Sequence, residues 1–279
     1  MDERRSRQSW RQATLRCLGW LAAMIGATAS PTSAQERVDL YQAVAIVTGS
    51  DMRSRPTGFA QCLREVLVKL SGEPRLRDDP RVSELAAHAA ALVASFEYAD
   101  QMAGIPVHDD QGTYDRPFNL TVRFDPARID QALADLGEKP WRGERPAVVP
   151  AVLVHRYSAT YWLSAENPAP LAADQRESLV ERGEEFGMKV HIPTEAELAA
   201  WGVTIKGFPS SQLPSPPDQA LVAGTLEFEE AIPGWVGSWR MRWRGVDYVW
   251  RISGVNFDEA FRDIIRGVVR VASGHGTPD

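Results

Sequence analysis

Two kinds of hydrophobic spacing alternate along the first half of the chain. Strict alternation of apolar and polar positions predicts strands, whereas apolar positions three and four residues apart predict helices. The order predicted in this way is β-α-α-β-β-α. Its elements are a strand at 38–47, helices at 57–71 and 80–96, strands at 96–103 and 118–124, and a helix at 126–136.

The second half opens on a nearly continuous apolar run at 147–154, which predicts a strand covered on both faces. A helix and a short strand follow it, and this spacing implies a parallel crossover. Thr194 and Glu197 form a capping box that opens a short helix. The remaining predicted elements are the helix at 174–186, the short strand at 188–192, strands near 221–229, 235–244 and 248–253, and a final amphipathic helix that begins at Asn256.

These patterns predict an α/β (α+β) fold of two small α/β lobes with mixed sheets. In the second lobe the parallel crossover is followed by a three-stranded antiparallel meander and a C-terminal helix. Proline, glycine and charged residues at 139–146 form the best boundary between the lobes. The expected divisions are a signal peptide at 1–34, lobes at 35–138 and 147–273, the linker at 139–146, and a polar tail at 274–279.

The first 34 residues have the three parts of a secretory signal peptide. Five arginines precede a short apolar run at 17–29, and small residues follow up to Ala34. The apolar run is shorter than the ~20 residues that a membrane span needs. We therefore expect cleavage after Ala34, export to the periplasm, and no transmembrane segment in the mature chain. An uncleaved anchor or a short buried helix is the alternative.

Removal of the signal makes the chain more acidic and leaves one cysteine. The full chain of 279 residues has a formal net charge of −6, and residues 1–34 carry five arginines against two acids, so the mature charge becomes −9. An acidic chain is not expected to bind nucleic acid in general. Cys62 alone remains, which excludes an internal disulfide. Its place on an apolar helix face predicts a buried hydrophobe rather than a reactive thiol.

Four tryptophans crowd into residues 235–250. Parity along two predicted strands places Trp239 and Trp250 on one face, where we expect them to meet beneath the final helix. The alternative is an aromatic platform for a sugar or peptide ligand. The other members of the group are Trp235 and Trp243.

Arginines occupy the opposite parity of the same strand. Glutamates alternate in the same way on the preceding strand, so cross-strand ion pairs on a solvated face are expected, with an anion-binding stripe as the alternative. The arginines are Arg240, Arg242 and Arg244, and the glutamates are Glu227 and Glu229. The candidate ligand or partner contacts are Trp141, Trp235, Arg240 and Arg242.

Signals for catalysis are weak. The histidines lack metalloprotease spacing, and the chain has no nucleophile elbow, phosphate loop or dinucleotide fingerprint. The run from His108 to Asp110 could touch a metal, but it also suits a solvated turn. No catalytic residue, metal or cofactor is assigned. A serine hydrolase built from scattered residues stays possible, since triad order differs among folds.

One resemblance rests on three stretches of sequence and on four residues near the end of the chain. The runs at 63–72 and 122–125 and the joint from Gly137 through Trp141 to Pro146 are similar to the proteobacterial domain-of-unknown-function family 2066. Gly224, Trp239, Trp250 and Gly254 fit the same family. The resemblance implies an exported envelope protein and supplies no activity. We therefore expect a non-enzymatic periplasmic binding or scaffolding protein, with an envelope protein or cell-wall component as its partner. The alternative is a periplasmic hydrolase.

Overall fold

Helices and two β-sheets make up the part of the chain that the structure describes. A computed structural model describes residues 39–104, 116–204, 207, 218–231 and 233–278. The strands are β1 (Gln42–Thr48), β2 (Val93–Asp100), β3 (Pro117–Phe124), β4 (Ala147–Arg156), β5 (Ala159–Trp162), β6 (Gln219–Glu229), β7 (Gly234–Trp243) and β8 (Val246–Val255). The helices are α1 (Arg55–Ser71), α2 (Pro80–Ala87), α3 (Pro126–Asp135), α4 (Pro170–Glu185), α5 (Glu195–Ala200) and α6 (Phe257–Ser273).

The first sheet has the order β1-β3-β2 and is antiparallel throughout. α1 packs on its inner face against β1 and β3. Along β1, the inward residues Ala43, Ala45 and Val47 are buried and the residues between them are exposed. This alternation is typical of an antiparallel sheet with one covered face. The predicted order β-α-α-β-β-α is confirmed.

The second sheet has the order β5-β4-β6-β7-β8. β4 and β6 are parallel, and β6, β7 and β8 form an antiparallel meander. α6 lies on β7 and β8, with α4 beside it. The predicted parallel crossover, meander and C-terminal helix are confirmed, and the protein is of the α+β class. The predicted strand at 188–192 is reduced to one parallel bridge between Val148 and Val190.

The second predicted helix is shorter than its apolar stripe indicated. α2 ends at Ala87, and a 3-10 turn at Ala89–Leu92 leads directly into β2. The apolar residues from 89 to 96 suit a helix face, but pairing with β3 fixes the last of them as a strand. The prediction of a helix up to Phe96 was therefore wrong. The hairpin strand β5 was not predicted.

Residues 38–279 form one compact unit that contains both sheets. One continuous core runs from the inner face of the first sheet to the residues beneath α6. The division into lobes at 139–146 stays a prediction. Among the described residues, no helix combines the length and apolar character that crossing a membrane requires. Residues 1–38, and with them the expected signal peptide, lie outside the described residues.

Trp239 and Trp250 stand opposite each other on β7 and β8 and are both buried beneath α6. The Trp239 indole N–H donates to the Asp263 carboxylate of α6 over 3.2 Å. Burial raises the pKa of Asp263, and the hydrogen bond from Arg266 opposes that shift. The predicted aromatic pair beneath the final helix is confirmed.

Gly267 lets α6 approach the sheet closely. A Cβ atom at this position would lie 2.8 Å from Cζ2 of the Trp250 indole. Glycine to alanine inside a helix ordinarily stabilises by up to ~1 kcal/mol. Here we expect Gly267→Ala to lower the free energy of unfolding by about 1–3 kcal/mol, because a rigid ring occupies the space. Denaturant unfolding measures the change.

A second substitution separates this clash from other effects. In a Trp250→Phe background the indole atoms that meet residue 267 are gone. Adding Gly267→Ala there should therefore be neutral or stabilising. An equal loss of stability in both backgrounds would contradict the proposed contact with Trp250.

Candidate functional site

The outer face of the first sheet is open to solvent. Val44 and Ile46 of β1 are 46% and 65% exposed, although the alternate residues of the same strand are buried. Their cross-strand neighbours on β3 are Thr121 and Asn119. Val44 and Ile46 thus form a small exposed apolar patch on β1, which is an edge strand of the sheet.

The backbone of β1 shows which groups face the open edge. Gln42 donates its N–H to Asp39 and accepts at its carbonyl from Lys69, so neither group is used by β3. Tyr41 accepts from Phe124 of β3 over 3.0 Å. Since hydrogen-bonding direction alternates along a strand, Val44 and Ile46 direct their N–H and C=O groups away from β3. In the described residues, β1 pairs with β3 alone.

Polar contacts lie beside the apolar patch formed by Val44 and Ile46. The Arg123 guanidinium bonds the Gln42 side chain at 2.8 Å and lies 3.3 Å from the Asp39 carboxylate. β1 itself, from Gln42 to Thr48, carries no charged residue. Charged residues on edge strands commonly prevent pairing with another chain. The outward backbone groups of Val44 and Ile46 lack that protection, whereas the carbonyl of Gln42 already accepts from Lys69.

Trp141, a predicted contact, lies at the C-terminal end of α1. Its backbone N–H donates to the carbonyl of Leu70 over 2.6 Å, and its half-buried ring lies beneath the Arg145 guanidinium, 4.1 Å from ring centroid to Cζ. Arg145 in turn donates to the carbonyl of Lys69 over 2.6 Å. Burial lowers the pKa of Arg145 to about 10. Trp141 and Arg145 thereby bond carbonyls of the kind that the last turn of a helix leaves without partners.

Trp235, the second predicted contact, lies on the inner side of β7. It is 6% exposed and forms edge-to-face contacts with Phe228 and Phe257. Its present surroundings are those of a core residue. A ligand or partner contact at Trp235 stays a prediction.

Arg240 and Arg242 lie on the outer face of the second sheet. The register places Arg240 opposite Ala223 and Val249, while Glu227 stands opposite Val236 farther along the strand. Arg242 instead approaches Asp247 of β8 at 3.6 Å. The expected ion pairs with the preceding strand were therefore wrong. The connection between β6 and β7 sets a register that separates the acids from the arginines.

A serine, a histidine and a glutamate meet near the end of α6. Ser273 Oγ lies 2.8 Å from His275 Nδ1, and His275 Nε2 lies 3.1 Å from Glu138 Oε2. This is the set of groups that a serine hydrolase uses. Ser273 Oγ also donates to the carbonyl of Gly72 over 2.9 Å. His275 lies in the predicted polar tail at 274–279, where the sequence pattern gave no sign of this contact.

The hydrogen bonds of Ser273 favour a role in linking the end of α6 to the end of α1 over a role as a nucleophile. When the Ser273 hydroxyl donates to the carbonyl of Gly72, His275 Nδ1 donates to Ser273 in turn and cannot accept its proton. A Cβ built on Gly72 would lie 2.5 Å from the Ser273 Cβ, so the two chain segments touch. The serine also lies at a helix C-terminus, where the helix dipole disfavours a developing oxyanion.

Other candidate chemistry is sparse in the described residues. Cys62 is fully buried, and burial raises the pKa of its thiol to about 12, in agreement with the predicted inert side chain. No three His, Cys, Asp or Glu side chains within the described ranges are grouped to hold a metal ion. The run from His108 to Asp110 lies outside those ranges.

Fold and site together define an α+β protein with an uncharged, open sheet edge. Residues 34–142 are similar to a family whose model is described as Domain of unknown function (DUF8605). The resemblance to domain-of-unknown-function family 2066 was therefore wrong. Among the residues on which it rested, those of α1 lie mostly on the buried face of that helix, and Trp141 and Arg145 bond carbonyls of its last turn. No curated protein and no solved structure matches the chain.

Proposed function

We propose that this protein is a non-enzymatic binding or scaffolding protein of the cell envelope, and that it binds its partner by strand addition to β1. The observation that carries the proposal is the edge formed by Val44 and Ile46, whose backbone groups point outward and whose apolar side chains are exposed. An added strand gains main-chain hydrogen bonds, and alternate side chains provide specificity. The partner is expected to supply an extended, uncharged segment with alternating apolar residues.

Export to the periplasm is part of this proposal. It is supported by the basic head, the short apolar run and the small residues that precede Gln35. N-terminal sequencing of the periplasmic form should give Gln35. Intact Met1 on protein from the cytoplasm would contradict it.

A proline at Val44 tests strand addition without breaking the fold. The Val44 N–H points away from β3, so Val44→Pro removes an edge donor and spares the β1–β3 hydrogen bonds. A photo-crosslinking residue at position 46 should give one discrete adduct in cells, and Val44→Pro should abolish it. An unchanged melting midpoint for Val44→Pro would show that the fold is kept.

Two controls make the outcome decisive. A photo-crosslinking residue at Val180, an exposed position on α4, should not give the same adduct. The Ala45 N–H faces β3, so Ala45→Pro should destabilise the sheet itself. An adduct at position 46 that persists in a folded Val44→Pro protein would overturn strand addition.

The alternative function is hydrolysis, and the contact between Ser273, His275 and Glu138 is the observation in its favour. We expect p-nitrophenyl acetate to be hydrolysed no faster by the purified protein than by its Ser273→Ala variant. Turnover that this substitution abolishes, in a variant that stays folded, would replace the binding hypothesis by the hydrolase hypothesis.

A further inference from the structure

The second sheet has an open edge of its own at β8. β8 is the last strand of that sheet and runs for ten residues, from Val246 to Val255. Val249, at its middle, is 80% exposed. Within the described ranges, β8 pairs with β7 alone. This edge belongs to a different sheet from the β1 edge, so pairing at β8 is independent of the proposed function.

The hairpin between β7 and β8 shows which backbone groups face outward. Arg244 and Gly245 both have positive φ, 49° and 85°, as in a two-residue turn that closes on the pair Trp243–Val246. That flanking pair exchanges both hydrogen bonds, and the pattern alternates from there. Asp247, Val249 and Arg251 therefore direct their N–H and C=O groups away from β7.

These three residues are complementary to the same three residues of a second, antiparallel β8 strand. If two β8 strands pair antiparallel about Val249, Asp247 of one copy stands opposite Arg251 of the other, and the reverse pair forms as well. Val249 meets Val249 on the symmetry axis. On the other face, Tyr248 stands opposite Trp250, and Val246 opposite Ile252. Opposite charges and apolar pairs at facing positions stabilise antiparallel strands.

Other symmetric registers lose this complementarity. An axis at Asp247 or at Arg251 places like charges opposite each other, which is destabilising. An axis at Tyr248 or Trp250 places each charge opposite an uncharged residue. Asp247 already lies 3.6 Å from Arg242 on β7, and 70% of its side chain is exposed, so it can face a second guanidinium. The two charges thus select one register.

We propose that β8 is a self-association surface, through which two copies of this chain pair antiparallel about Val249 into one continuous sheet. The partner is a second copy because the edge is complementary to itself in charge and in backbone direction. A two-fold axis perpendicular to the sheet makes the contact isologous and closed, so it ends at a dimer.

Charge reversal tests the register. Sedimentation equilibrium of the purified protein should give a dimer, and either Asp247→Arg or Arg251→Asp should raise its dissociation constant roughly tenfold or more, since each places two like-charged pairs across the axis. The double variant that exchanges both residues should restore the dimer. A monomer at all concentrations, or a double variant no better than the singles, would overturn the proposal.

A cysteine on the axis gives an independent measurement. Val249→Cys places two thiols opposite each other, so mild oxidation should link two chains. Ser253→Cys, exposed on the same strand, stands opposite Gly245 in this register and should link far less. Cys62 is buried and does not interfere. Equal linking of both variants would show a contact in another register, and linking by neither in folded protein would exclude the contact.

Discussion

Replacing Trp239 by alanine should destabilise this protein more than most single substitutions, by about 3–5 kcal/mol in the free energy of unfolding. The ring is 1% exposed and fills the space over two glycines, Gly224 and Gly237. Its N–H also donates to the buried carboxylate of Asp263. Alanine would leave a cavity and remove a donor from that carboxylate. Denaturant unfolding followed by circular dichroism measures the loss.

Trp239→Phe separates packing from hydrogen bonding. Phenylalanine keeps most of the apolar volume but has no N–H for Asp263, so we expect a loss of about 1.5–3 kcal/mol, the range for a hydrogen bond to a charged group. An alanine variant no less stable than the phenylalanine variant would show that the core can close around the missing ring. Strong acrylamide quenching of all the clustered tryptophans would contradict the buried position directly.

Arg270→Met should cost about 3–5 kcal/mol, because it removes one partner of a buried ion pair. Arg270 is 3% exposed and lies 2.7 Å from the Glu73 carboxylate, which is also largely buried. It further donates to the carbonyls of His275 and Thr277, and so holds residues 275–277 against α6. Methionine fills similar volume but leaves the Glu73 charge without its cation.

The double variant Arg270→Met, Glu73→Gln should recover much of this loss, since it buries no unpaired charge. Arg142→Met provides the matched control, because Arg142 pairs with Asp130 at 2.9 Å while 73% exposed, and exposed pairs contribute little. Its melting midpoint should be nearly unchanged. Equal midpoints for Arg142→Met and Arg270→Met would contradict the role assigned to the buried pair.

Local pattern predicted the elements whose own residues determine them. Parity placed Trp239 opposite Trp250, and the spacing from Phe59 to Leu70 located α1. The stripe up to Phe96 misled because those residues satisfy helical and strand spacing equally, and only pairing with a distant strand decides between them. Elements are thus predictable where one period fits, and ambiguous where two fit.

The candidate sites were missed for a different reason. Whether β1 or β8 lies at an edge depends on strand order, which no local pattern encodes. The meeting of Ser273 with Gly72 likewise joins residues 201 positions apart. The expected pairs of Arg240 with Glu227 failed because register depends on a connection whose geometry the sequence pattern does not specify. A signal for the β1 edge existed in its uncharged run, which becomes informative once the sheet order is known.

The contacts at the end of α1 have a consequence for how the protein folds. The carbonyl of Gly72 is bonded by Ser273, and Glu73 by Arg270, across 201 and 197 positions of sequence. Forming such contacts carries a large loop-closure entropy, and proteins rich in them fold slowly. We therefore expect the final turn of α1 to become stable only once residues 270–275 pack against it. Residues 34–142 alone should consequently show a frayed α1 and lowered protection of its last amides from hydrogen exchange.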